Sequence, residues 1–183
     1  MKRRALLGIL AFGPFVPLVH AAPPANMKGI KEMQDNWKNL LAAGTPTPSP
    51  KDELKLSKEE WHKRLQGQAY SVLREEDTER AGTSPLDHEK RAGVFVCAGC
   101  GLPLFTSEMK FNSGTGWPSF FTTIPGVFET KTDHKILYPR TEYHCARCGG
   151  HHGHLFDDGP PPTGQRYCNN GVALRFIPKD GKA

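Results

Sequence analysis

The 183-residue chain carries a net charge of +5 at pH 7, from 24 Lys and Arg against 19 Asp and Glu. Lys2, Arg3 and Arg4 supply three of those charges, and without them the net charge is +2; with no Lys/Arg stripe in the remainder, there is no electrostatic basis for nucleic-acid binding. The roughly 130 residues beyond Pro50 suffice for one domain around one core.

The chain opens Met-Lys-Arg-Arg and continues from Ala5 to Val19 as an apolar run broken by Gly13, Pro14 and Pro17. Val19-His20-Ala21 then offers small residues at the positions that a signal peptidase reads. The pattern predicts a signal peptide over residues 1–21, export to the periplasm, and no stable membrane insertion once the signal is cleaved. The run is too short and too proline-broken for a convincing membrane span, an uncleaved anchor being the alternative. Arg3-Arg4 suits a twin-arginine signal as well as the basic start of any signal peptide.

Residues 22–50 read as a helical leader and a Pro-rich spacer, and 51–183 as the main domain. In the leader, Ile30, Met33, Trp37, Leu40 and Leu41 recur at helical spacing and stop at Gly44. Thr45-Pro-Thr-Pro-Ser-Pro50 follows as an extended spacer. Ser57 and Glu60 form a capping box that opens a second helix, through Trp61 to about Leu65. Helical signals are scarce beyond it. From Gly93 onward short apolar runs such as Val94-Phe-Val96 and Leu104-Phe105 alternate with turn residues, and Val172, Leu174 and Phe176 alternate as on a strand with one buried face. The predicted class is mainly β, an antiparallel sheet domain preceded by short helices.

The five cysteines are two C-x-x-C pairs and a singleton. Cys97 with Cys100, and Cys145 with Cys148, supply the four thiolates of a tetrahedral structural zinc site. Each pair is followed by a glycine, Gly101 or Gly149, able to wrap a left-handed turn around the sulfurs. Closing the 44 residues between the pairs costs roughly 3 kcal/mol plus a constant, against about 10–16 kcal/mol for structural zinc binding. Two disulfides, or metal-free redox pairs, are the alternative in an exported protein.

The fifth cysteine, Cys168, lies between Arg166 and Asn170 at strand spacing, so all three side chains leave one face. A cation there favours the nucleophilic thiolate; a buried hydrophobic thiol is the plainer reading. His151 and His154, three apart, can converge on one spot and move protons, or bind a second metal with Asp157 or Asp158. Trp117, in Phe111-Asn-Ser-Gly-Thr-Gly-Trp-Pro-Ser-Phe-Phe121, offers an apolar wall, unless the segment only builds core.

Taken together, Cys97-Ala-Gly-Cys-Gly-Leu-Pro-Leu-Phe, Lys110-Phe-Asn-Ser-Gly-Thr-Gly-Trp-Pro-Ser-Phe, Arg140-Thr-Glu, Cys145-Ala-Arg-Cys, Gly153-His-Leu-Phe-Asp-Asp-Gly-Pro and Pro162-Thr-Gly-Gln-Arg-Tyr-Cys-Asn-Asn resemble the B-type methionine sulfoxide reductases. The resemblance runs in order from about Leu56 to Phe176. It implies a β-rich fold with one structural zinc on Cys97, Cys100, Cys145 and Cys148, and Cys168 as the nucleophile. It further implies His151, His154, Asp158, Arg166 and Asn170 as active-site residues and Trp117 packing against the substrate methyl group. The implied activity is reduction of methionine R-sulfoxide in peptides or proteins, through a sulfenic acid on Cys168.

Two departures stand out. Many members of that family carry a resolving cysteine where this chain has Thr115, which implies an external reductant, a thioredoxin-like protein or another thiol. His152 stands where leucine is usual, either as an added titratable group or as an idle, solvent-facing side chain. The alternatives to an enzyme of this kind are a non-enzymatic zinc-binding β module and a thiol–disulfide oxidoreductase built on the C-x-x-C pairs.

Overall fold

The leader forms α1 (Met27–Asp35), capped by the Asn26 side chain, which accepts from the Gly29 N–H at 3.0 Å. The computed structural model describes residues 26–134 and 138–181, so the expected signal peptide lies outside the described residues. The single leader helix expected as far as Leu41 is broken at Asn36, and a 3-10 turn over Trp37–Leu40 replaces its second half. The capping box holds: Ser57 Oγ accepts from Glu60 N–H at 3.2 Å, and the Glu60 carboxylate accepts from Ser57 N–H at 2.7 Å. It opens α2 (Lys58–Arg64).

A third helix, α3 (Gln68–Glu75), corrects the expectation that helix ends near Leu65. It has no side-chain cap and barely two turns, so local signals for it are weak. Burial of Tyr70, Val72 and Leu73 against the domain stabilises it instead.

Among the described residues nine strands form two antiparallel sheets, as the turn-punctuated sequence implies. The first sheet has the order β2-β1-β9 and contains β1 (Gly93–Cys97), β2 (Pro103–Thr106) and β9 (Leu174–Pro178). The second has the order β3-β4-β8-β7-β6-β5. Its members are β3 (Lys110–Phe111), β4 (Ser119–Phe120), β5 (Phe128–Asp133), β6 (Arg140–Cys145), β7 (His151–Phe156) and β8 (Arg166–Asn169). The last strand starts at Leu174 rather than Val172, because Gly171–Ala173 forms a 3-10 turn. Buried Glu79 accepts from the Gly171 and Val172 N–H groups at 2.5 and 3.0 Å, which holds that turn out of the sheet.

The aromatic core runs between the sheets. Phe105 stacks on Phe120 at 3.9 Å between ring centroids, and Phe95 meets Phe120 edge-on at 5.1 Å. The phenylalanines of the 111–121 segment that reach this core, Phe120 and Phe121, are fully buried.

β1 is buried along its whole length. Phe95 enters the main core, while Val94 and Val96 point to the opposite face and pack with Leu40 of the leader, flanked by Leu41 and Ile177. The leader is thus the outer layer that keeps one face of the first sheet dry. Gln34 fastens it, donating from Nε2 to Thr122 Oγ1 at 2.8 Å and to the Thr123 carbonyl at 3.1 Å. Among the described residues no helix is long and apolar enough to cross a membrane.

The leader's packing role predicts that Leu40→Ala, at the edge of the core, destabilises the fold by about 2 kcal/mol, the lower end of the range for such truncations. A melting curve should show a drop of roughly 4–8 °C. An unchanged melting temperature would mean that the leader does not seal β1.

Candidate functional site

The two C-x-x-C turns are built alike. In each, the glycine after the second cysteine has positive φ, +76° at Gly101 and +67° at Gly149. Its N–H returns to the carbonyl of the first cysteine at 2.8 Å, from Gly101 to Cys97 and from Gly149 to Cys145. The N–H of that first cysteine is taken in turn by the carbonyl five residues on, Leu102 for Cys97 and Gly150 for Cys145. The turns bring four buried sulfurs to one point, all within 4.8 Å of one another. Cys97 Sγ lies 3.7 Å from Cys148 Sγ, and Cys100 Sγ lies 3.5 Å from Cys145 Sγ. A tetrahedral ion with metal–sulfur bonds of about 2.3 Å needs sulfur–sulfur edges of roughly 3.8 Å, whereas a disulfide needs about 2.05 Å. The four cysteines therefore fit a metal, and all five cysteines are unbridged.

The second sheet aligns the other candidates. Cross-strand partners in antiparallel strands share a face, and Ser119 faces Cys168, Cys168 faces His154, His154 faces Glu142 and Glu142 faces Lys131 in one row. Two residues away a parallel row pairs Arg166 with Phe156 and Asp133 with Arg140. Arg166 and Cys168 do leave one face of β8, as strand spacing requires. Asn170 lies one residue past the end of the strand and lines the same cavity as Cys168. Its side chain is held there by accepting from Glu79 N–H at 2.9 Å and donating to the His152 carbonyl at 3.0 Å.

Cys168 opens on a cavity of about 190 Å³, lined also by Trp117, His154, Phe156 and Asn170 and rimmed by Thr78 and Arg140. That is smaller than the roughly 300–1,000 Å³ typical of pockets for larger ligands, and suits a single side chain. Trp117 is fixed by its indole N–H, which donates to the Glu79 carbonyl at 3.1 Å. Glu79 thus braces both Trp117 and Asn170.

Burial pushes the Cys168 thiol above its ordinary range, opposed by the Arg166 charge and by hydrogen bonds from Thr115 and Arg166. Thr115 stands beside Cys168 at the end of a hydroxyl chain in which Ser113 Oγ lies 2.8 Å from both Thr115 and Ser119. Asp158 grips Arg166 through two oxygens, at 2.7 and 2.9 Å. Its side chain is 62% exposed, and the Arg166 guanidinium lies 4.3 Å over the Phe156 ring.

His151 and His154 would leave opposite faces of a regular strand. The register shift in β6–β7 between Tyr143 and His144 acts as a bulge and brings their rings to 5.6 Å. Gly153 sits between them with φ +156°, where a Cβ would lie 2.0 Å from the Cys168 carbonyl oxygen. Only His154 lines the cavity. Its Nε2 is 2.8 Å from Asp133 Oδ2, an oxygen that also accepts from Arg140 at 2.6 Å. Burial lowers the pKa of His154, and Asp133 opposes the shift. His151 lies behind, fully buried against Glu142, and burial lowers its pKa to about 4.

His152 is not solvent-facing. It is 0% exposed, on the core face between Phe128 and Tyr143, and burial takes its pKa to about 3. It fills the core position that a leucine would occupy. Among the described residues, His151 and His154 do not gather with Asp157 or Asp158 around a common point, and Asp158 pairs with Arg166. Glu79 and Asp133 are the site residues that sequence reasoning missed. Neither stands in a pattern of chemistry-bearing residues, and Asp133 ends a strand of Thr, Glu and Lys that reads as solvated surface.

Comparison with known proteins matches residues 65–178 to the SelR domain. A peptide methionine sulfoxide reductase MsrB of Hahella chejuensis is 48% identical over 133 residues, covering 72% of this chain and 96% of that protein. One from Bradyrhizobium diazoefficiens is 48% identical over 138 residues, covering 73% and 96%. The chloroplastic peptide methionine sulfoxide reductase B1 of Arabidopsis thaliana is 43% identical over 149 residues, covering 75% and 74%. With a domain match over most of its length and relatives at this identity, the chain belongs to the SelR-domain family of B-type methionine sulfoxide reductases.

Proposed function

We propose that the chain reduces methionine R-sulfoxide in peptides or proteins to methionine, with Cys168 as the nucleophile. The observation that carries the reading is the sulfur of Cys168 opening on a side-chain-sized cavity, with Arg166 beside it and His154 directly across the strand pair. The Cys168 lone pair bonds the sulfoxide sulfur, and the thiol proton passes to the sulfoxide oxygen, relayed by His154 or by a water held by the polar residues. Transfer of the resulting hydroxyl to Sγ breaks the sulfur–oxygen bond and releases the thioether. The cysteine sulfur is oxidised by two electrons to a sulfenic acid and the substrate sulfur is reduced by two.

Trp117 packs against the substrate methyl group in this reading. Arg166 stabilises charge on the sulfur, and Asp158 and Asn170 are positioning residues. His151, buried behind His154, supports its ring. Cys97, Cys100, Cys145 and Cys148 hold one structural zinc, whose role is to close the fold. A thioredoxin-like protein or another external thiol resolves the sulfenic acid, since Thr115 stands where a second cysteine would be needed.

Residues 1–21 direct export to the periplasm and 22–50 form the leader ahead of the reductase domain at 51–183. Protein recovered from the periplasm should begin at Ala22 and contain one zinc per chain by elemental analysis, with Cys148→Ser losing both the metal and the folded state. Metal-free, well-folded, active wild type would sink the zinc assignment, and an unprocessed N-terminus the export one.

With dithiothreitol, the R epimer of a methionine sulfoxide peptide should be turned over, the S epimer left intact, and Cys168→Ser inactive. Without reductant, the wild type should release about one methionine per chain, as a reaction halted at the sulfenic acid requires. Thr115→Cys should instead accumulate a disulfide with Cys168. Residual turnover by Cys168→Ser would overturn the assignment of the nucleophile.

Because burial raises the pKa of Cys168, the resting group at neutral pH is the thiol, and the thiolate appears only as pH rises through that shifted value. Alkylation of Cys168 should speed up with pH through a midpoint above the roughly 8.5 of an exposed cysteine. Arg166→Gln, which removes the opposing charge, should move the midpoint higher. A midpoint unchanged in that variant would show that Arg166 does not act on the sulfur.

A further inference from the structure

Glu142, His144 and His151 converge on the cavity side of β6 and β7, beside the second cysteine turn, with Cys145 following His144 in the chain. Glu142 is 1% exposed and divides its two oxygens. Oε2 lies 3.4 Å from Lys131 Nζ, while Oε1 is 3.1 Å from His144 Nε2 and in contact with His151 Nδ1. The other ring nitrogen of His144, Nδ1, is 3.3 Å from the Gly149 carbonyl oxygen. A carbonyl only accepts, so Nδ1 donates to it, and Nε2 faces a Glu142 carboxylate oxygen.

Glu142 Oε1, His144 Nε2 and His151 Nδ1 are buried, and their close polar contacts are with one another. Three polar atoms gathered this closely in a desolvated site must share a proton or a metal ion. The three donor atoms lie within 4.8 Å of one another, and an ion with bonds of about 2.0–2.2 Å needs donor–donor edges of roughly 3.3 Å.

We propose that Glu142, His144 and His151 form a second metal site, which takes a divalent first-row transition ion through one carboxylate oxygen and two imidazole nitrogens. Two imidazoles select against calcium and magnesium, which prefer all-oxygen sites. Three protein ligands leave the ion's remaining position to water. The His144 N–H on the Gly149 carbonyl is the outer hydrogen bond that fixes a ligating ring, and Lys131 on the second carboxylate oxygen orients Glu142. The His144 side chain is 14% exposed, so the ring borders solvent although Nε2 itself is buried. The site does not depend on sulfoxide chemistry at Cys168.

The test titrates Co²⁺ into full-length protein whose cysteine cluster is already filled with zinc, following visible absorption and metal content after dialysis. One cobalt per chain should bind beyond the zinc, with weak visible bands and without the intense near-ultraviolet absorption of thiolate-bound cobalt. The melting temperature should rise with added ion. His144→Ala and the near-isosteric Glu142→Gln should each weaken uptake at least tenfold, whereas the exposed control His88→Ala should bind as wild type does. Failure of wild type to take up a second equivalent would mean that a proton alone bridges the cluster and would overturn the proposal. So would cobalt found only on thiolates, or wild-type uptake by either ligand variant.

Discussion

The meeting of four cysteine sulfurs ties the molecule together, because the two pairs belong to different sheets. Cys97 and Cys100 flank the turn leaving β1, and Cys145 and Cys148 the turn between β6 and β7. The cluster therefore fixes the β6–β7 hairpin against the first sheet, and with it the strand that presents His154 to Cys168. Arginines brace both turns: Arg147 donates to the Cys100 carbonyl at 2.9 Å, Arg64 to the Gly99 carbonyl, and Arg74 to the Cys148 carbonyl at 2.8 Å while its guanidinium lies 4.6 Å over Trp61.

Within that frame the irregularity of β7 decides which groups meet. A regular strand would put one of His151 and His154 into the core and leave His152 on the cavity face. The bulge reverses this, setting two histidines on the polar face and one among aromatic rings. All three are held below the ordinary histidine range by burial, so the site is one of neutral imidazoles whose hydrogen-bond roles are set by neighbouring carboxylates. Asp133 orients His154 and Glu142 faces His151, from adjacent strands of the same sheet.

Much of this was legible in the chain itself, for identifiable reasons. The C-x-x-C-G repeats carry their turn geometry with them, so the cluster could be inferred before any coordinates. The capping box at Ser57 likewise announces a helix from local hydrogen bonding. Short-range signals fail where a partner distant in sequence does the work. α3 has little propensity of its own and is held by packing. Asn170 reads as a strand residue beside Cys168, but its place at the cavity is held by Glu79, 91 positions away, and not by strand pairing. Alternation cannot reveal a bulge, so the opposite fates of His151 and His152 were hidden. The leader's spacing showed an apolar stripe without showing what it covers.

The way the leader closes over β1 has a consequence for the order of events during synthesis. Gln34 emerges early, yet its carbonyl acceptor at Thr123 is 89 residues downstream. At about 5–20 residues per second the wait is roughly 4–18 s. Leu40 meets Val94 and Val96 sooner, but the sheet beneath it stays open until β9 pairs with β1 at the far end of the chain. The earliest part of the domain to appear is thus among the last to dock, and its apolar stripe is exposed to other binding partners for most of the time the ribosome spends on the chain.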